Sequence, residues 1–415
     1  MPTIRLLACL LLILAALPAT AQQADPWYGF IAGTYELHNE DLDEYVLAEI
    51  DRFQAAHPRD GHVPDLLAFK ARLLEADGEE HAALVSWLEL AMLHPDHEQA
   101  GAARDAVIRL AARENDYEET LPDLRERLEF PTAGDPAERL FAFLETLTAI
   151  MHGDLNELAL PLYHRFGHLY PDDARQVRIL EWESRVLVDE GDELEAATTL
   201  AKAQALFPGD AAIPLVRHRR ALLLADELDQ PERALAVLAE LRTAHPDHPV
   251  AAAALRDQAR IKADEKDYAG AAADLRAFAD AYPDHEATID VLFELAELSY
   301  DRLEAWTRTD AIYEEIVTRF PAAPRSVEAL RESAELNEDR LEDYTRAAAQ
   351  YARVAEMFPS VEDADRDLFR AADIAEDELE DRALAARYLE RVMAIWPDTE
   401  AARDAAEDLQ KLNED

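Results

Sequence analysis

The sequence predicts an all-α fold: a right-handed superhelical solenoid of about ten helix-turn-helix units, closed by a C-terminal helix. Three observations carry this expectation. Ten prolines, Pro58, Pro95, Pro131, Pro171, Pro208, Pro246, Pro283, Pro321, Pro359 and Pro397, follow one another at steps of 36 to 40 residues, mostly 37 or 38. A fixed period in this range marks one supersecondary unit stacked many times. Each of these prolines follows a ring: His57, His94, Phe130, Tyr170, Phe207, His245, Tyr282, Phe320, Phe358 and Trp396. Finally, only 11 of 415 residues are Gly, and the chain leans to Ala, Leu, Glu, Asp and Arg. Most of those residues favour helix over strand.

Taken in order, residues 1–21 read as an export signal. Arg5 is a short positive region, Leu6 to Leu17 an apolar run, and Ala19-Thr20-Ala21 a small-residue cleavage site before Gln22. The apolar run is short for a membrane span. Cys9, the only cysteine, lies inside it, and Leu6-Leu7-Ala8-Cys9 comes too early to act as a lipid-attachment box. The processed chain then has no thiol chemistry. Residues 26–131 form an N-terminal arm of atypical units, the least regular being the one ending at Pro131. There Glu119 and Asp123 stand where apolar residues are expected, and a slip of one residue would use Thr120 and Leu124 instead. Pro131-Thr132-Ala133-Gly134-Asp135-Pro136 is a breaker-rich turn, expected to be a bend or joint. Residues 136–398 form a regular array, and 399–415 a polar amphipathic helix of the kind that closes an open stack.

The unit ending at Pro208 shows the pattern. A first helix is expected from about Asp173 to Glu190, with Val177, Ile179, Leu180, Val186 and Leu187 apolar. Gly191-Asp192 breaks it. A second runs from about Glu193 to Leu206, with Ala196, Leu200, Ala203 and Leu206 on one face. Phe207-Pro208 ends it, because proline disfavours helix for the preceding residue. Seven units carry Ala twelve residues before the proline, and nine carry a large apolar residue eight before it, among them Tyr163, Tyr313 and Tyr351. Small residues let helices approach; large ones fill the space between units.

This order of small, Gly, Ala, large and Pro resembles the tetratricopeptide repeat (TPR) family, carried by Ser184, Gly191, Ala196, Leu200, Ala203 and Pro208. The lengthened period is similar to that of exported bacterial envelope members. The resemblance implies a stack whose first helices line a concave groove, and a role as a protein–protein scaffold. It also gives meaning to six acids near the ends of consecutive first helices: Asp189, Asp226, Asp264, Asp301, Asp339 and Asp377. An acid at a helix C-terminus opposes the dipole by about 0.3–1 kcal/mol. The six are candidates for a partner-binding groove, with turn capping or pairing to Arg185, Arg260, Arg302 or Arg340 as the competing account.

Charge narrows the partners. With 88 acidic and 41 basic side chains the formal charge is −47. Such a surface repels a phosphate backbone, which needs Lys and Arg to displace its counterions. Nucleic acid is excluded; a protein or peptide partner, with basic segments favoured, is expected. His164 and His168 have the spacing that can place two imidazoles on one helix face, without the Glu of a zinc-hydrolase motif. They, and the repeated His94-Pro95-Asp96-His97 and His245-Pro246-Asp247-His248, read as packing and inter-repeat turns, with Asp after Pro capping the next helix. No nucleophile elbow, phosphate-binding Gly loop or dinucleotide fingerprint is present. The expectation is a non-enzymatic scaffold or adaptor of the cell envelope, without cofactor or metal. The alternatives are an acidic cation-binding or salt-adapted structural protein, or a non-catalytic subunit of an envelope assembly or secretion complex.

Overall fold

In the computed structural model, residues 24–113, 117–130, 134–150 and 153–414 are described, and every regular element among them is helical. The export signal and residues 131–133 of the breaker-rich turn lie outside the described residues. The chain divides into two compact units, 1–216 and 217–415. In the first are α1 (Ala24–Tyr35), α2 (Asp43–Ala56), α3 (Val63–Asp77), α4 (Glu80–Leu93), α5 (Ala100–Ala111), α6 (Leu121–Glu129), α7 (Pro136–Ala149), α8 (Gly153–Leu169), α9 (Gln176–Asp189) and α10 (Glu193–Leu206). The division falls inside α11 (Ile213–Leu222). The second holds α12 (Pro231–Ala244), α13 (Val250–Asp264), α14 (Tyr268–Ala281), α15 (Thr288–Asp301), α16 (Trp306–Arg319), α17 (Arg325–Asp339), α18 (Tyr344–Met357), α19 (Ala364–Asp377), α20 (Arg382–Ile395) and α21 (Glu400–Glu414).

Within the second unit each helix packs on the one before and the one after, and α21 covers α20. This is a helical solenoid of TPR-like repeats. The small and large positions sit where the sequence pattern puts them: Ala196, Leu200 and Ala203, like Ala234, Leu238 and Leu241, are 0% exposed. Burying one such Leu contributes about 1.5–3 kcal/mol. Leu206 departs from the expected stripe and stands 58% exposed.

The ring-proline step has a common geometry. In all ten, the ring residue's N–H donates to the carbonyl four residues back, as His245 does to Leu241 and Phe358 to Val354. Its ψ then swings out of the helical range, to 56° at His245 and 54° at Phe358, as a following proline demands. The cap of the next helix is not the Asp directly after Pro. The helices that follow, at Val63, Ala100, Gln176, Val250 and Thr288, have no side-chain cap bond. The residue two after Pro closes the turn instead, and Asp60, Asp173 and Asp210 accept from the N–H two residues on at 2.8–2.9 Å. His97, His248 and His285 do the same through Nδ1, at 3.1–3.4 Å. The position after Pro lacks the reach, because the i to i+2 bond has to start where the turn closes.

The inner turns differ along the chain. Gly78 and Gly191 take φ of 85° and 83°; later units place Asp229, Lys266, Glu304, Glu342 and Glu380 in the same left-handed region, at 49° to 66°. From α15 onward the inner turn spans four residues instead of three. Asp226 lies in a π-helical turn, Leu223–Glu227, where Leu228 N–H donates to Leu223 five residues back.

The first unit breaks the neighbour rule. α7 and α8 pack directly on α4, and α5–α6 stand between them in sequence. Arg165 of α8 donates to buried Glu89 of α4 at 2.8 Å. In α6 the slipped register is the one adopted: Leu124 is 1% exposed while Asp123 is exposed, and Phe130, the ring before Pro131, is 72% exposed.

Candidate functional site

The six acids singled out in the sequence all fall at first-helix ends. Asp189, Asp264, Asp301, Asp339 and Asp377 are the last residues of their helices, and Asp226 is in the π-turn. Asp189 belongs to the first unit, the others to the second. Their surroundings separate them. Arg260 holds Asp226 at 3.0 Å and Asp264 at 3.4 Å, so these two are internal ion pairs. Asp301 and Asp339 instead line one cavity of about 260 Å³ between α15 and α17, together with Glu297, Tyr300, Tyr313, Glu332, Glu335 and Leu336. Asp189 and Asp377 line none of the cavities described in this section.

Helical spacing explains the concentration of charge. Counting back four, seven and eleven residues from the terminal Asp puts residues on one helix face. On α15 these are Glu297, Glu294 and Asp290; on α17 they are Glu335, Glu332 and Glu328, so both stripes are wholly acidic. On α13 the same positions hold Arg260, Asp257 and Ala253, and on α19 Asp373, Arg370 and Arg366. The sequence reading followed the terminal Asp alone and missed the rows behind it.

Arg302 lies over the Tyr268 ring and Arg340 over Tyr300 and Trp306, without an ion pair among the described residues; the other arginines nearby pair with other acids. Arg256 pairs with Glu294, and Arg325 with both Asp290 and, at 3.2 Å, Glu328. Arg331 pairs with Asp367 at 2.7 Å, Arg353 with Glu314 at 2.6 Å, and Arg370 with Glu338. Among the described residues none of Glu297, Asp301, Glu332, Glu335 and Asp339 forms an ion pair. Partial burial, then the charges of Glu335, Glu328 and Glu297, raise the Glu332 carboxyl above the usual glutamate value. Burial first, and then Glu332, Glu297, Glu328 and Asp301, push the Tyr313 phenol well up.

A neighbouring cavity of about 700 Å³ between α13 and α15 shares Glu297 and Asp301, but Arg256, Arg260 and Arg302 enter its wall. In the first unit, α2, α4 and α8 enclose about 910 Å³ lined largely by aliphatic side chains, with His164 and His168 in the wall. His164 Nε2 lies 3.2 Å from Glu183 Oε1. Among the described residues no three His, Cys, Asp or Glu side chains are grouped to share an ion, and no helix is long and apolar enough to cross a membrane.

No protein-family model and no curated sequence matches the chain. Among solved structures it is similar to PilW, a widely conserved type IV pilus biogenesis factor, at 14% identity over 56% of this chain and 99% of that one, with a TM-score of 0.32. A tetratricopeptide repeat protein from Parabacteroides merdae is 16% identical over 73% and 100% of the two chains, TM-score 0.31. The C-terminal part of a TPR repeat-containing protein from Cytophaga hutchinsonii is 12% identical over 64% and 98%, TM-score 0.38.

Proposed function

We propose that this chain is a non-catalytic scaffold that binds a basic protein segment on the first-helix face of α15 and α17, after export into the cell envelope. One observation carries the reading: among the described residues five carboxylates on that face form no ion pair, while Arg256, Arg325, Arg331, Arg353 and Arg370 each pair with another acid. Export rests on Arg5, the run Leu6 to Leu17 and the Ala19-Thr20-Ala21 site. Paired acids would cost a ligand nothing to leave alone; unpaired ones gain when a cation approaches. An exposed pair contributes about 0.2–1 kcal/mol, and less in salt.

A fluorescently labelled hexalysine peptide, titrated into residues 22–415, tests this. Binding should weaken between 50 and 300 mM salt, values chosen to span about one halving of the screening length. The triple variant Glu297→Gln, Glu332→Gln, Glu335→Gln should bind about tenfold more weakly. No binding by the parent chain, or equal binding by the triple variant, would overturn the assignment. The cation-buffer alternative predicts a large thermal shift with calcium alone, and no need for a peptide.

A further inference from the structure

We infer that the cavity between α15 and α17 is an anchor for a single guanidinium group, an arginine side chain of the partner, with Tyr313 as its floor. This rests on the basic-segment reading above and makes it specific. Tyr313 is 5% exposed, comes from α16, and lines the cavity. Its ring packs on Phe293, centroids 6.0 Å apart. Among the described residues its hydroxyl has no hydrogen-bond partner. The hydroxyl keeps some exposure rather than being sealed in the core, so it opens onto the cavity and can be bonded by a guest there.

The repeat supplies its own comparison. Tyr163 and Tyr351 stand, like Tyr313, eight residues before their repeat prolines. Tyr163 Oη is 2.7 Å from Thr148 Oγ1. Burial, then Glu335 and Glu338, raise the Tyr351 phenol, and Arg370, the α19 residue at the stripe position that Glu332 occupies on α17, pulls it back. Both tyrosines thus sit among acids, but the step at Tyr351 has an opposing guanidinium at that stripe position, where the step at Tyr313 has Glu332.

The choice of arginine over lysine follows from the lining. Tyr300, Tyr313 and Leu336 offer flat or apolar surface, and five carboxylates surround it. Guanidinium is planar, weakly hydrated, stacks on aromatic faces and presents five donors; ammonium is compact and strongly hydrated. Arg340 already makes this kind of contact at the rim: its Nε donates to Tyr300 Oη at 3.0 Å, with its guanidinium over the Tyr300 ring. The volume, about 260 Å³, suits one side chain rather than a peptide backbone.

The test compares labelled hexaarginine with hexalysine on residues 22–415. The parent should prefer hexaarginine by about tenfold, the scale of one hydrogen bond to a charged group. Tyr313→Phe keeps the ring and should bring the two peptides within about twofold by weakening hexaarginine alone. Its thermal unfolding should match the parent, since the hydroxyl holds no bond. The exposed-end variant Asp301→Asn, Asp339→Asn gives a second handle and should also lower hexaarginine affinity more than hexalysine affinity. Failure of both peptides to bind would sink the basic-segment reading itself. Equal affinity in the parent, or an arginine preference that survives Tyr313→Phe, would sink the anchor and leave the broader reading standing.

Discussion

Replacing Asp310 with alanine should loosen the middle of the second unit more than any surface change. Asp310 is 7% exposed on α16. Its carboxylate accepts from Ser333 Oγ at 2.6 Å and Asn337 Nδ2 at 2.7 Å, both on α17, and pairs with Arg346 of α18 at 2.7 Å. One side chain thus ties three successive helices. Breaking a buried charge pair costs about 3–5 kcal/mol. The lower end applies here, because the Arg346 side chain is 39% exposed and can rehydrate. Ser333 and Asn337, each 1% exposed, cannot; a buried donor left without an acceptor costs about 1–3 kcal/mol. The expected loss is therefore about 3 kcal/mol, with Asp310→Asn in between because it keeps an acceptor oxygen. Stacked repeats need not unfold as one unit, so a single melting curve is the wrong readout. Hydrogen exchange followed by mass spectrometry on peptides from α16 and α17 reads the local free energy. Protection there should fall by about two decades, the equivalent of 3 kcal/mol. A loss below about 0.5 kcal/mol in Asp310→Ala would show that the three-helix tie is not what holds this step together.

Two further outcomes follow from the backbone and from burial. Glu342, at φ 51°, pays for a left-handed conformation that glycine adopts freely, so Glu342→Gly should raise the stability of the α17–α18 step by up to about 1 kcal/mol, measured by chemical denaturation. Burial holds the His94 imidazole below its usual value, against the pull of Glu89, with His97, Arg139 and Arg165 adding to the depression. A depressed folded value gives stability that is present above about pH 6.5 and is lost as pH falls through the folded value. The first unit should therefore lose thermal stability on acidification, and His94→Phe, the ring used at Phe207, Phe320 and Phe358, should lose less.

Much of this was legible from residue spacing. The second helix of the unit ending at Pro208 begins and ends where Gly191-Asp192 and Phe207-Pro208 place it, Glu193 to Leu206. Period and breaker are local signals, and local signals fix helix ends. The cap was misassigned because Asp after Pro recurs more visibly than the alternation of Asp and His one place later, whose bond to the i+2 N–H closes the turn and caps no helix. The contact of α7 with α4 left no periodic trace, since it joins faces far apart in sequence. For the site, the terminal Asp residues stood out by repetition. The acids that complete the cavity, Glu297, Glu332 and Glu335, do not repeat from unit to unit, and Tyr313 looked like one more large residue of the core. What singled it out was its place in the cavity wall among five carboxylates that form no ion pair among the described residues, a property of the packed protein.

The doubling-back of α7 and α8 onto α4 carries a cost in assembly. Contacts in the second unit join adjacent hairpins, so they can form from either end by local addition. The first unit has to close a loop of roughly 40 residues before α4 meets α7, and its Arg165–Glu89 bond spans 76 residues. Non-local closure is slow. The half that leaves the ribosome first is then the half that finishes last, and its aliphatic α4 face waits longest for cover, so on any passage through a narrow translocation pore it is this segment that most needs shielding from its neighbours.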